Sequence, residues 1–267
     1  KYNEVYVNMM KEIFANYGPI WELWWDGANG EGPNGKMQVY DWARFKKTVK
    51  DLSPNTVVFS DIGPHIRWVG NESGIAGNTN WNTLDTAGFT PGKGSPSRDT
   101  LTAGNKYGKV WIPAECDVSI RPGWFYHEAE DSKVRTPENL FDLWLKSVGR
   151  GSNLLLNIPP DRRGKIHPND SLALVGFSNL RDRAFKNDLL SGRKLYYKID
   201  NRGNGRADGS VFIPKDKKSE FNKVPVLKNE QMISFSKPQN INCIVLNERI
   251  ANGQTITGFR IVFINGD

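Results

Sequence analysis

Four short apolar runs in the first 186 residues each lead to a polar side chain, and this pattern constrains the fold more than any other feature of the chain. Ile20-Trp21-Glu22-Leu23-Trp24-Trp25 runs into Asp26-Gly27, Thr56-Val57-Val58-Phe59-Ser60 into Asp61, and Lys109-Val110-Trp111-Ile112-Pro113-Ala114 into Glu115. The fourth, Asn153-Leu154-Leu155-Leu156-Asn157-Ile158, carries Asn157 near its end. Helical spacings lie between them. Asn3 to Tyr17 places Val5, Met9, Ile13 and Phe14 on one stripe and stops at Gly18. Asp41 caps a helix carrying Trp42, Phe45, Val49 and Leu52, which Ser53-Pro54-Asn55 breaks. Thr136 caps another, with Pro137 at its first position and Leu140, Trp144 and Val148 inward. Asp170 opens a last one through Leu172, Leu174, Val175, Phe177 and Leu180. Runs this apolar are buried on both faces, so the repeat predicts parallel βα units. The segment 63–108, rich in Gly, Asn, Thr and Pro, reads as one long loop region.

A (β/α) barrel builds its active site at the C-terminal ends of its strands, where Asp26, Asp61, Glu115 and Asn157 fall. A complete barrel takes about eight units and ~250 residues, and only about half of that precedes Lys186. The expected fold is therefore α/β: the C-terminal part of a TIM-like barrel over residues 1–186, with its N-terminal half missing. An open sheet with a site at its switch point is the alternative. From residue 187 onward, short strand-like runs appear at Lys194–Ile199, Ile233–Phe235, Ile241–Leu246 and Phe259–Phe263. They predict an antiparallel β-sandwich over 187–267, itself cut short.

Nine tryptophans, 8 Tyr and 13 Phe in 267 residues suit a sugar site. Indole stacks its face on the C–H-rich side of a pyranose and keeps an N–H for a hydroxyl. The net charge of +7 and pI of about 9.3 raise the alternative of a nucleic-acid partner. However, no run of five like charges occurs, and Lys215-Asp216-Lys217-Lys218 is broken by an acid, so a basic exterior is the reading preferred. Cys116 and Cys243, like His65, His127 and His167, have no metal-ligand spacing, and no metal or other cofactor is expected. A disulfide between the two cysteines has nothing in the sequence to support it. No apolar run reaches the ~20 residues of a membrane helix. Phosphate-binding loops and the nucleophile elbow of serine hydrolases are absent from the sequence.

Glycoside hydrolysis needs two carboxyl groups flanking one bond, about 5–5.5 Å apart in a retaining enzyme. Asp26 ends an apolar strand beside Trp24-Trp25 and precedes Gly27, which permits close approach; a turn aspartate reads equally well. Glu72 stands in Arg67-Trp68-Val69-Gly70-Asn71-Glu72-Ser73-Gly74, either reaching over a pocket or solvated in its loop. Glu115 is its rival, or else a structural acid paired with Arg121 or Arg67; Asp61 is similar, or a cap for the turn after it. His65 and His127 lie in loops near these acids and could bond sugar hydroxyls or simply face solvent. Trp124, held by Pro122-Gly123, is either a stacking platform or a core aromatic.

These residues resemble the α-L-fucosidases of glycoside hydrolase family 29. The resemblance rests on Trp24-Trp25-Asp26-Gly27, on Ile66 to Gly74, on Pro113 to Tyr126 and on Asn153-Leu154-Leu155-Leu156-Asn157-Ile158-Pro159-Pro160, and it spans residues 1 to about 186. It implies a retaining exo-α-L-fucosidase with Asp26 as nucleophile. The Trp-Val-Gly-Asn-Glu motif is similar to that of the subgroup cleaving α-1,3/1,4-linked fucose from Lewis-type glycans, which makes Glu72 the acid/base and gives Glu115 a supporting place. Trp124 is implied as a fucose contact, with Trp25, His65, Trp68 and Arg121 as further substrate-binding residues. The implied partner is a fucosylated oligosaccharide or glycoconjugate, with no metal, nucleic acid or membrane insertion; the oligomeric state is left open. A secreted or periplasmic location follows from that substrate class. Residues 187–267 resemble the family's galactose-binding-like β-sandwich, with a middle that departs from it. The family's His-His-Asp-Gly-Phe-type segment has no counterpart in this sequence, so the 267 residues alone are expected to lack a complete sugar pocket. A non-catalytic glycan-binding protein on the same scaffold is the alternative function.

Overall fold

A computed structural model describes residues 1–27, 37–89, 91, 97–189, 194–199, 207–212, 231–232, 237–245 and 254. The chain divides into two compact units, Lys1–Ser178 with Glu248–Asp267, and Asn179–Asn247; the composition change lies at residues 186–187. The first unit carries strands β1 (Glu22–Trp24), β2 (Val57–Ser60), β3 (Ile66–Trp68), β4 (Thr83–Leu84), β5 (Val110–Trp111), β6 (Ala114–Ser119) and β7 (Asn153–Asn157). Five of them form one curled parallel sheet in the order β1-β2-β3-β6-β7, while β4 and β5 pair antiparallel with each other. The parallel sheet expected from the sequence is thus present, as a half-barrel.

Two strand assignments change. Pro113 has no N–H to give to a ladder, and the chain switches sheets at that residue. Val110–Trp111 joins β4, and the main-sheet strand starts only at Ala114. Glu115 therefore lies inside β6 rather than beyond a strand end. The other change is the segment 63–108 read as loop, which holds β4 and, before it, β3. Strand β3 lies parallel to β2 across residues 61–65 alone, far shorter than the dozen or so residues such a crossover usually takes. Gly63, at φ 101°, turns the chain back.

Arg67 explains how so short a strand can carry a buried charge. Its guanidinium donates to Leu101 O at 3.0 Å, Trp81 O at 3.0 Å, Asn80 Oδ1 at 3.2 Å and Ile112 O. One side chain thereby ties the inserted segment between β3 and β6 to the sheet. Burial among neutral acceptors brings its pKa down to about 10, still cationic at neutral pH.

Of the helices α1 (Tyr2–Asn16), α2 (Trp42–Leu52), α3 (Arg98–Ala103), α4 (Pro137–Ser147) and α5 (Pro168–Ala184), α2 and α4 start at the caps read from the sequence, α5 starts at Pro168, two residues before the Asp170 read as its opening, and α3 lies in the segment read as loop. Asp41 Oδ1 accepts Arg44 N–H at 3.0 Å and Thr136 Oγ1 accepts Asn139 N–H at 3.2 Å. The buried stripes differ in detail. In α1 the core residues are Val7 and Met10, packed with Tyr6 and Phe14, while Val5 and Met9 are each half exposed. In α2, Phe45 and Val49 are buried and Leu52 is exposed; in α4, Leu143 with Leu140 takes the place read for Trp144 and Val148. Val7, Met10, Trp25, Phe45, Val49 and Val58 form one core cluster; Val118, Ile120, Leu140, Leu143 and Ala173 form another, with Leu154 and Leu156 packed on it.

In the second unit, β8 (Lys194–Ile199), β9 (Ala207–Phe212) and β10 (Gln231–Met232) make an antiparallel sheet in the order β10-β8-β9. Residues 241–245 are described and belong to no strand, and Ile233–Phe235, Phe259–Phe263 and the 215–218 basic cluster lie outside the described residues. Cys116, buried, and Cys243, exposed, are free thiols. Among the described residues no helix is long and apolar enough to cross a membrane.

Gly74 closes the turn that follows Glu72, at φ 74°, and a Cβ there would meet Val118 Cγ1 at 2.7 Å and Leu143 Cδ1 at 2.8 Å. Gly74→Ala combines left-handed backbone strain with overpacking and is expected to destabilise the fold by about 2–4 kcal/mol. Denaturant unfolding of the variant beside the parent checks this; equal midpoints would contradict it.

Candidate active site

Register decides which side chains share a face. Glu22 pairs with Val57 and Trp24 with Phe59, Phe59 with Ile66, Trp68 with Glu115, then Glu115, Asp117 and Ser119 with Asn153, Leu155 and Asn157. Side chains alternate along each strand, so this set lies on the face of the sheet away from the helices. Leu23, Val58, Val118, Leu154 and Leu156 point the other way, toward the two core clusters, and Cys116 toward a third made with Val69, Ala76 and Ala114. One face is packed and, apart from Ser60 and Arg67, apolar; the other gathers Glu22, Trp24, Trp68, Glu115, Asp117, Ser119 and Asn157.

Asp117 is the hub of that face. It is buried, its Oδ1 accepts the Trp68 Nε1–H at 2.6 Å, and its proton affinity is raised by burial first and then by the negative charges of Glu72 and Asp26. Both proposed reaction carboxylates thus lie within electrostatic reach of one buried acid. They differ from it in access, since Asp26, just past β1, and Glu72, beyond β3, are both exposed. The backbone ahead of Asp26 is fixed by Trp25 N–H donating to Phe59 O at 3.0 Å. Ahead of Glu72, Asn71 Oδ1 accepts from Ser73 N at 3.2 Å and Ser73 Oγ, and Asn71 Nδ2 donates to Ile75 O at 2.9 Å. This local asparagine turn presents Glu72 outward, where Trp124 Nε1–H donates to Glu72 Oε2 at 3.3 Å.

Glu115 lies one alternation below Asp117. Burial and the neighbouring Glu22 lift its pKa to about 7, while an indole N–H from Trp24 partly offsets that by stabilising the carboxylate. Glu22 is likewise raised by burial, and it accepts a hydrogen bond from Glu115. Two carboxyls this close cannot both ionise at little cost, and both shifts run upward accordingly. Glu115 therefore meets Glu22 and Trp24, and neither of the arginines suggested as its partners.

Alternation also separates the two adjacent tryptophans. Trp25 is 3 % exposed and packs in the core beside Trp42 and Phe45, whereas Trp24 is 37 % exposed and stacks on Phe59 at 4.5 Å on the acidic face. Sequence reasoning missed Trp24, Glu22 and Asp117; counting parity along β1 and β6 would have found all three. Trp68 and Trp124 are brought to the acids. His65 is not: it precedes β3, its Nδ1 accepts Val58 N–H at 2.9 Å, and Glu72 emerges beyond the strand's opposite end. Nor is the Arg121 guanidinium turned to the acids, because it is fully buried, bonding Asp170 at 3.0 Å and Asp131 at 2.8 Å. It fastens the loop after β6 to α5. Among the described residues no group of three or more His, Cys, Asp or Glu side chains could hold a metal ion.

Glu115 yields a pH prediction. An acid that binds its proton more tightly folded than unfolded stabilises the fold at low pH, and that contribution disappears as pH rises through the folded-state value. Stability should therefore fall by roughly 1–3 kcal/mol between its ordinary 4.5 and about 7. Glu115→Gln is expected to flatten the slope. Urea unfolding at several pH values tests it; an unchanged slope in the variant would contradict it.

Comparison with known proteins converges on one family. The α-L-fucosidase family model matches residues 1–179. Arabidopsis thaliana α-L-fucosidase 1 is 37% identical over 268 residues, covering 98% of this chain and 51% of the relative. A glycoside hydrolase 29 family member from an unknown rumen bacterium superposes with a TM-score of 0.64 at 38% identity, over 71% of this chain and 35% of that one. A Ruminococcus gnavus GH29 fucosidase in complex with fucose gives 0.62 at 32% identity, over 71% of this chain and 40% of that one. The chain spans about half the length of the curated relatives it matches. With motifs, parallel half-barrel and matches in agreement, this chain belongs to the α-L-fucosidase family, glycoside hydrolase family 29.

Proposed function

We propose that the chain carries the catalytic pair of an exo-acting, retaining α-L-fucosidase that removes α-1,3/1,4-linked fucose from fucosylated oligosaccharides or glycoconjugates. The observation that carries this reading is the pair of exposed carboxylates, Asp26 and Glu72, both felt by the buried carboxylate of Asp117. Asp26 attacks the anomeric carbon and the glycosidic C–O bond breaks, giving a glycosyl ester, while Glu72 delivers its proton to the departing oxygen. Glu72 then takes a proton from water, which attacks the same carbon, and Asp26 leaves as carboxylate; two inversions retain configuration. Trp24 and Trp124, both exposed, and the part-exposed Trp68 offer indole surface to the sugar. The linkage assignment draws on the Ile66–Gly74 motif. The β8–β9–β10 sheet is read as the start of the β-sandwich, the half-barrel as part of a TIM-like barrel, and a secreted or periplasmic location follows from the substrate.

The test uses the intact protein, Asp26→Ala and Glu72→Ala, on a Lewis-type trisaccharide and on a nitrophenyl fucoside. Glu72→Ala is expected to lose roughly 10²–10⁴-fold on the trisaccharide, whose leaving group needs a proton, and far less on the activated aryl glycoside. Azide should restore turnover to both variants, giving the β-azide with Asp26→Ala and the α-azide with Glu72→Ala. Parental activity in either variant would contradict the assignment. Glycan affinity without turnover in the parent would favour the non-catalytic binding protein.

A further inference from the structure

Asn157 and Ser119 have no part in the mechanism above, yet they end the two strands nearest Trp124. Asn157 Nδ2 donates to Trp124 O at 2.9 Å and to Ser119 Oγ at 3.1 Å. Ser119 Oγ in turn donates to Gly123 O at 2.7 Å and accepts from Arg121 N at 3.3 Å. Gly123 N–H is held from the other side by Glu130 Oε2 at 3.4 Å. Every polar backbone group around Trp124 that these contacts reach is fixed to a strand end or to the 3₁₀ turn 128–133. Because Asn157 and Ser119 pair directly across β6 and β7, the hydrogen-bonded pair is built into the sheet's register. From this anchored loop the Trp124 indole extends its N–H to Glu72 Oε2.

We infer that Asn157 and Ser119 are positioning residues for acid catalysis: they hold Trp124 so that its indole N–H engages Glu72 Oε2, leaving Oε1 as the oxygen that gives up the proton. An indole nitrogen donates and never accepts. The carbonyl oxygen of a carboxylic acid is a much stronger acceptor than its hydroxyl oxygen, so this hydrogen bond favours the form in which Oε2 is unprotonated and the acidic proton sits on Oε1. The contact selects one orientation of the acid without consuming its proton. Trp124 then has two places in the site, its ring toward the sugar and its edge on the acid. The inference rests on Glu72 being the acid/base, and the experiment keeps the two claims separable.

The measurement is the dependence of kcat/KM on leaving-group acidity, over a series of aryl fucosides from dinitrophenyl to unsubstituted phenyl, in the intact protein. Loss of structure lowers all members alike; a misaligned acid penalises those whose leaving oxygen most needs a proton. Glu72→Ala sets the limiting slope. Trp124→Phe, which keeps a ring and removes the N–H, should lower the phenyl-to-dinitrophenyl ratio by roughly 10- to 100-fold, the weight of one hydrogen bond to the carboxylate charge that develops on Glu72 as its proton leaves. Asn157→Ala should shift the ratio in the same direction. Asn157→Asp should match Asn157→Ala, because aspartate fills the space yet cannot donate to Ser119 Oγ and Trp124 O. If Glu72→Ala steepens the series while Trp124→Phe and both Asn157 variants leave the ratio at its parental value, the positioning role is overturned and the acid assignment stands. If Glu72→Ala leaves the slope unaltered, the acid assignment itself fails.

Discussion

No residue of β6 is exposed, yet every second one is polar, and the site is built from that conflict. In a parallel sheet covered by helices, the outward side chains, Cys116 and Val118, fill the core with Leu154 and Leu156. The inward ones, Glu115, Asp117 and Ser119, are removed from water on the opposite face and need partners. Their partners are a second carboxyl and an indole for Glu115, an indole for Asp117, and an amide and a backbone carbonyl for Ser119. Those partners come from β1, β3, β7 and the loop after β6. Satisfying one strand's buried polar groups therefore brings together the tryptophans and carboxylates of the site.

Two buried arginines hold the loops that frame it, by different chemistry. Arg67 is solvated by neutral oxygens, and desolvation costs it part of its proton affinity. Arg121 meets Asp131 and Asp170, which raise its affinity despite burial. The carbonyl-bound guanidinium ties the β3–β6 insert to the sheet, and Thr102 Oγ1 adds a bond from that insert to Val69 O at 2.9 Å, close to where Glu72 emerges. The carboxylate-bound one ties the Trp124 loop to α5, with Tyr126 against the guanidinium at 4.8 Å. Removing one member of a buried ion pair typically costs about 3–5 kcal/mol, so a change at Arg121 acts on the fold before it acts on any sugar.

The sequence made the parallel architecture, the capped helices and the motifs around Asp26 and Glu72 legible, because periodicity and caps are local signals. It hid what depends on register. Trp24 and Trp25 are chemically identical neighbours, and only the pairing of β1 with β2 tells which one faces the acids. β3 was invisible because three residues with an arginine at the centre carry no strand signature, and the arginine is tolerated only through carbonyls 14 to 45 positions away. Glu115 read as a strand-end acid because Pro113 was counted inside a strand that it actually precedes. His65, near the acids in sequence, is taken to the other end of β3 by a turn that Gly63 makes possible.

The claim at the centre of this account is that Asp26 forms the bond to the sugar. A fucosyl fluoride bearing fluorine at C2 loads a retaining enzyme by fluoride departure, and the electron-poor sugar then leaves the ester only slowly, because the transition state is oxocarbenium-like. Peptide mapping of the intact protein after such treatment is predicted to locate the fluorofucosyl mass on the peptide containing Asp26. An ester on Asp117 or Glu115, or an unlabelled protein that still hydrolyses fucosides, would contradict it.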